Sequence, residues 1–112
     1  MLFRSLAGER DVVMPLPEIQ IFGGGLHAGK RVEIQDFMIL AVGASDYAQA
    51  LDWTADIYRA AGELMTEAGP RQGVADEGGW WPAFASNEQA LEMLVRAVER
   101  AGRRPRDRKS VV

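Results

Sequence analysis

The 112-residue sequence contains no cysteine, one histidine and no long apolar run. Without cysteine the chain can form neither a disulfide framework nor a thiolate metal site, a composition that suits a reducing compartment. Its longest apolar run, Phe37 to Val42, is far too short to cross a bilayer, and we see no secretory leader. A lone histidine without cysteine or a G-x-S-x-G motif also gives too little for a nucleophilic triad. We therefore expect a cytoplasmic protein with no membrane partner.

The composition, 47% hydrophobic and 26% charged, is that of one globular domain. The net charge is −3, but the segment from Arg96 to Lys109 holds seven basic and two acidic residues, so the rest of the chain is strongly acidic. An acidic body argues against general nucleic-acid binding, and a short Arg-rich end is typical of a solvated helix terminus or tail. We expect no nucleic-acid partner.

Two segments have strand character. Residues 18–22 fit a short strand, and residues 32–42 alternate at first and then become continuously apolar. The connection between them, residues 23–31, is too long for a tight hairpin. Its four glycines indicate close backbone approach rather than turn geometry alone.

Two segments have helical character. Apolar residues recur at helical spacing from an N-cap predicted at Ser45 to Gly69-Pro70, and again from the capping-box serine Ser86 to Gly102. Residues 73–82, between the helices, look irregular, and residues 1–14 show no clear periodicity. The predicted α/β order is strand, strand, helix, loop, helix. Each helix has an apolar stripe wide enough to need a larger sheet than two strands, so the chain looks like part of something larger.

The sequence contains three candidate catalytic or binding positions: His27 in the glycine loop, Asp36 in an apolar strand, and Asp76-Glu77 before two glycines. A polar turn could account for His27, and a solvated turn for Asp76-Glu77. The solvent face of an edge strand could account for Asp36. However, four apolar residues follow it at once, so we favour a position near a buried cavity, where acids take part in proton transfer.

Six ordered blocks of the sequence together resemble enolase (phosphopyruvate hydratase). These blocks are Pro15-Leu16-Pro17, Gly24-Gly25-Leu26-His27-Ala28-Gly29, Gln35-Asp36-Phe37-Met38, Val42-Gly43-Ala44, Asp76-Glu77-Gly78-Gly79 and Ser86-Asn87-Glu88. The resemblance covers nearly the whole chain but only an internal quarter or so of an enolase. It implies an incomplete enolase-type TIM barrel, with an antiparallel strand pair followed by two long helices.

The resemblance also implies a division of the chain. Residues 1–14 would end the link from a missing N-terminal domain, and residues 15–106 would form the first part of the catalytic barrel. A complete barrel needs about 250 residues, so this chain cannot close one. Residues 107–112 resemble one reading frame of a common sequencing adapter and are expected to be a non-native tail.

By the same resemblance, the activity is reversible dehydration of 2-phospho-D-glycerate to phosphoenolpyruvate, a lyase step of glycolysis. Glu77 matches the glutamate that helps the C3 hydroxyl leave, and His27 matches a loop histidine near the substrate phosphate. Asp36 stands where the family usually has Glu. All three are implied to be catalytic and substrate-binding residues. The Mg²⁺ ligands are expected in the missing downstream part, with none in this chain, and the full-length parent is expected to be a homodimer or higher homo-oligomer.

Several departures from the family motif keep alternatives open. Gln20 and Gly23 stand where the family usually has Asn, Leu26 replaces a generally polar residue, and Ala75 replaces Gly. A carboxylate displaced on the order of 1 Å, as by the shorter Asp36, can matter greatly in catalysis. One alternative is a diverged paralogue acting on another phosphorylated or phosphonate three-carbon acid. Another is a non-catalytic small binding module.

Overall fold

The computed structural model describes residues 2–11, 13–29, 32–69 and 71–105, which form a mixed α/β structure. No helix in these ranges is long and apolar enough to cross a membrane. The elements, in chain order, are α1 (Leu2–Ala7), β1 (Glu18–Gly23), a 3₁₀ turn (Gly25–Ala28), β2 (Asp36–Leu40), α2 (Tyr47–Ala68), β3 (Arg71–Val74), β4 (Trp80–Pro82) and α3 (Asn87–Arg100).

The four strands form one sheet in the order β2-β1-β4-β3. β1 and β2 pair antiparallel, as predicted, and Gly23 at the end of β1 lies opposite Asp36 at the start of β2. β4 joins β1 in parallel through the pair Phe22 and Trp80, and β3 pairs antiparallel with β4. The end of β1 and the starts of β2 and β4 therefore lie close together.

The core lies where α2 and α3 pack against each other and against the sheet. Phe22 is fully buried, and its ring meets those of Phe37 and Phe84 edge-on at centroid distances of 6.5 and 5.3 Å. Aromatic pairs prefer this geometry because the positive edge of one ring faces the negative face of the other. Near the C-terminal ends of the two helices, the Arg100 guanidinium on α3 donates hydrogen bonds of 2.8 and 2.7 Å to the two carboxylate oxygens of Glu67 on α2.

Two predictions about irregular segments are wrong. Residues 73–82 are not irregular throughout, because β3 and β4 form a hairpin around a turn at residues 75–79, so a strand pair separates the two long helices. Residues 2–7, for which no periodicity was seen, form the short helix α1. One or two turns of helix, like strands of three or four residues, are too short to show a repeat in the sequence.

The second predicted strand is shorter than expected, because it begins at Asp36 rather than at Val32. The backbone groups of residues 32–34 form hydrogen bonds outside the sheet. The Val32 carbonyl accepts from the Gly25 N–H, and the N–H groups of residues 33 and 34 donate to Oδ1 of Asn87. The predicted close approach in the glycine loop occurs here. A Cβ on Gly24 would overlap the carbonyl oxygen of Ile34.

Both long helices lie where predicted, with one cap corrected. Ser86 caps α3 by accepting a hydrogen bond from the N–H of Gln89, as predicted. The cap of α2 is Asp46 rather than Ser45, and Oδ1 of Asp46 accepts from the N–H of Gln49 at 2.8 Å. The predicted tail, 107–112, lies outside the described residues.

Candidate active site

The side-chain amide of Gln20 connects two carboxylates that the sequence singles out. Its Nε2 donates one hydrogen bond to Oδ1 of Asp36 and a second, 2.8 Å long, to Oε2 of Glu77. Its Oε1 accepts a 3.0 Å bond from the backbone N–H of Gly79. A carboxamide nitrogen carries two N–H donors, and both are used here. The fold thus brings Asp36 and Glu77, far apart in sequence, to one side chain.

The register of β1 and β2 places Gln20 and Asp36 on the same face of the sheet. Gln20 lies opposite Met38, and Asp36 is two residues from Met38 along β2. Successive side chains alternate between the faces of a strand, so Asp36 is the diagonal neighbour of Gln20 on one face. Diagonal neighbours can meet when one side chain is long, and here the Gln20 side chain reaches Asp36.

Glu77 is held at the tip of the turn between β3 and β4. The Ala75 N–H donates to the Gly79 carbonyl at 2.8 Å, and the Gly78 N–H donates to the Ala75 carbonyl at 2.9 Å. Gly78 has φ of +92°, a conformation that favours glycine. The pair of glycines after Glu77 therefore closes a tight turn, which leaves the Glu77 side chain exposed beside β1.

Tyr58 and Trp80 connect this turn to helix α2 through hydrogen bonds and ring stacking. The Tyr58 hydroxyl donates to the carbonyl oxygen of Gly78 at 2.8 Å, and the Trp80 indole N–H donates to the Tyr58 carbonyl at 2.8 Å. Their rings stack with centroids 4.7 Å apart and planes inclined by 17°. Burial raises the pKa of the Tyr58 hydroxyl above its usual value of 10.0, so the donor stays protonated at neutral pH.

Gly79 leaves room for the Gln20 amide. A Cβ on Gly79 would overlap Oε1 of Gln20 and would lie 2.9 Å from the backbone nitrogen of Gly23. Side chains larger than hydrogen are therefore excluded at Gly79 unless both Gln20 and the backbone at Gly23 shift. The second glycine of the Asp-Glu-Gly-Gly motif is explained by this close approach.

His27 lies in the 3₁₀ turn, which contacts β4. The ring of Trp81 lies beside the end of this turn, 3.9 Å from where a Cβ on Gly29 would be. The His27 side chain lies outside the described part of the structure, so its role in the site stays a prediction.

The described side chains of the site offer hydrogen-bonding groups to a polar substrate, but they do not by themselves form a metal site. Among the described residues, no group of three or more His, Cys, Asp or Glu side chains could hold one. Hard cations need several converging oxygen ligands, whereas an N–H donor of Gln20 meets each of the Asp36 and Glu77 carboxylates.

In the sequence Gln20 stands out only as a departure from a motif, and its bridging role depends on the fold. The available signal was a lone amide within an apolar strand, since Ile19, Ile21 and Phe22 surround it. The role of Tyr58 gave no such signal, because an aromatic residue at helical spacing is most simply explained by core packing.

Comparison with known proteins places the chain in a family. Residues 11–110 match the enolase C-terminal TIM barrel domain. The enolases of Tropheryma whipplei strains Twist and TW08/27 are each 41% identical to this chain over 104 residues, which is 93% of this chain and 24% of each relative. The chain thus spans about a quarter of the length of these relatives, and it belongs to the enolase C-terminal TIM barrel domain family.

Proposed function

We propose that this chain is the first part of the catalytic barrel of an enolase-like lyase, which reversibly dehydrates 2-phospho-D-glycerate to phosphoenolpyruvate. The observation that carries the proposal is the Gln20 amide, which bonds to both Asp36 and Glu77. These two acids stand in separate motif blocks, yet they share one hydrogen-bond partner. Membership of the enolase family supports the lyase class.

In this proposal Glu77 supplies a proton to the departing C3 hydroxyl, which leaves as water. Its place at the exposed tip of a tight turn suits a group that must reach a bound ligand. Asp36 and His27 bind the substrate on the same side, Asp36 through its carboxylate and His27 near the phosphate. Asp36 is half-buried and fixed by Gln20, so its position is set before substrate binds.

The remaining parts of the proposal concern the full-length protein. Residues 1–14 end a link from an N-terminal domain, residues 15–106 begin the barrel, and residues 107–112 are non-native. The Mg²⁺ ligands and the base that removes the C2 proton lie in the part of the protein that this chain does not span. The full-length protein is a cytoplasmic homodimer or higher homo-oligomer acting in glycolysis.

The test is Glu77→Gln in the full-length protein. Glutamine keeps the size of the side chain but cannot donate an acidic proton, so turnover of 2-phospho-D-glycerate should fall by at least about 10²-fold. The matched control is Glu92→Gln on the exposed face of α3, which should keep wild-type turnover. Wild-type turnover in the Glu77→Gln protein would contradict the role given to Glu77.

A diverged paralogue acting on another phosphorylated or phosphonate three-carbon acid is the second candidate. Leu26, next to His27, is 77% exposed where the resembled motif generally has a polar residue, and Asp36 is one methylene shorter than the usual Glu. Both changes affect groups assigned to substrate binding. A higher kcat/KM for a phosphonate analogue than for 2-phospho-D-glycerate would favour this candidate over the first.

A further inference from the structure

Gln20 bonds to both acids, but the proposed function gives it no chemical role of its own. We propose that Gln20 is a positioning residue, which sets the placement of the Asp36 and Glu77 carboxylates, and that its side-chain length is matched to the short side chain of Asp36. The inference rests on the proposed function for its kinetic readout.

The hydrogen-bond pattern fixes the orientation of the Gln20 amide. Both N–H donors face carboxylate oxygens, of Asp36 and of Glu77, and the carbonyl oxygen faces the N–H of Gly79. Reversing the amide would place its oxygen against two carboxylates and its nitrogen against an N–H, which is unfavourable at every contact. An amide held at three points is a rigid spacer, and bonds to charged acceptors are the stronger kind.

The contact to Glu77 joins Gln20 to a residue far away in the sequence. Glu77 is on a turn whose shape is set by its own backbone bonds. The hydrogen bond from Nε2 of Gln20 to Oε2 of Glu77, 2.8 Å long, acts on the side chain itself. Gln20 therefore acts on the proposed acid as well as on the proposed substrate-binding group.

The side chains of Gln20 and Asp36 differ from those of the resembled motif by the same length in opposite directions. Where the resembled motif has Asn and Glu, this chain has Gln, which is one methylene longer, and Asp, which is one methylene shorter. These two positions are hydrogen-bonded to each other. The summed length of the two side chains therefore equals that of Asn and Glu, so in this proposal the longer Gln20 compensates for the shorter Asp36.

The experiment is a double-mutant cycle in the full-length protein, with kcat and KM for 2-phospho-D-glycerate as readouts. Gln20→Asn should lower kcat by about 10- to 100-fold, since a misplacement of about 1 Å can cost that much. Asp36→Glu alone should also lower kcat. The double variant Gln20→Asn/Asp36→Glu should recover kcat to within about threefold of wild type, a coupling that independent sites do not show.

Unchanged kcat in Gln20→Asn, or a double variant whose loss equals the product of the single losses, would overturn the proposal. If Gln20→Asn does not fold, Gln20→Met keeps the volume and removes the donors, and it should lose kcat in the same range. Gln49→Asn is the matched control, because the Gln49 side-chain oxygen accepts from the Ser45 backbone N–H at the start of α2, outside the candidate site. Its kcat should stay at the wild-type value.

The proposed function and this inference can fail separately. A full-length wild-type protein without turnover of 2-phospho-D-glycerate would contradict the proposed function. Crystal structures of that protein and its Gln20→Met variant would still decide the positioning role. Movement of the Asp36 and Glu77 carboxylates relative to each other by about 1 Å or more would support it. Unmoved carboxylates would overturn it.

Discussion

The Tyr58 hydroxyl on helix α2 donates a hydrogen bond to the carbonyl oxygen of Gly78, in the turn that holds Glu77. Tyr58→Phe removes this bond and keeps the ring stacked on Trp80. In the full-length protein it should lower the free energy of unfolding by about 1 kcal/mol, the usual net value of one hydrogen bond, as measured by urea denaturation. Tyr47→Phe, at the 44%-exposed first residue of α2, is the control and should cost much less.

The same bond should depend on pH. The folded pKa of Tyr58 is raised above the unfolded value of 10.0, so the stabilisation is fully present below pH 10.0 and is lost as pH rises through the folded pKa. Ultraviolet titration of tyrosinate in wild type and in Tyr58→Phe should show one late-titrating hydroxyl only in the wild type. A wild-type protein in which the tyrosine missing from Tyr58→Phe titrates together with the exposed tyrosines would contradict the raised pKa of Tyr58.

Gly79 gives a second prediction at the residue scale. In Gly79→Ala the new methyl group would occupy the space of the Gln20 carbonyl oxygen, so the amide must move and the protein should lose about 1–3 kcal/mol of stability. Gly43→Ala is the matched control, because a Cβ there would be 3.6 Å from the Trp53 ring, an ordinary contact. Equal unfolding free energies for the two variants would contradict the close approach at Gly79.

The helices begin with the same reciprocal motif, and this gives a prediction at the element scale. In α2, Asp46 accepts from the N–H of Gln49 while the Gln49 amide accepts from the Ser45 N–H; Ser86 and Gln89 repeat this pattern in α3. Asp46→Ala should therefore cost about 1 kcal/mol in the denaturation of the full-length protein. Ser45→Ala should cost clearly less. The opposite order would restore Ser45 as the cap.

The long elements could be predicted from sequence and the short ones could not. Apolar residues recur over several turns of helices α2 and α3, so the spacing predicts where each helix begins and ends. Strand β4 has only three residues and pairs with β1 at a single position, so no such repeat can be recognised. The cap of α2 was missed because Ser45 and Asp46 are both good caps, and only the backbone angles distinguish them. At the site, Asp36 and Glu77 were found as unusual acids, but their shared partner Gln20 depends on strand register, which one sequence does not reveal.

At the scale of the molecule, one side of the described structure is apolar and open. β2 is the outermost strand on that side of the sheet, and a groove of about 650 Å³ lies between it and the two long helices. Val42 and Val95 on this side are 40% and 43% exposed. The helical stripes in the sequence already indicated more apolar surface than two strands could cover, and the groove is where that surplus lies.

The last prediction concerns the 112-residue chain by itself, which should show no measurable dehydration of 2-phospho-D-glycerate. Its described residues offer no metal site, and only a few of the groups that such a reaction needs are present. An unpaired strand edge beside an exposed apolar groove should also make the chain self-associate or remain a partly helical, molten state. Sedimentation velocity and near-ultraviolet circular dichroism test this directly. A monomer that unfolds in one sharp transition would instead favour a free-standing binding module, and turnover by the isolated chain would overturn the view that it is part of a larger barrel.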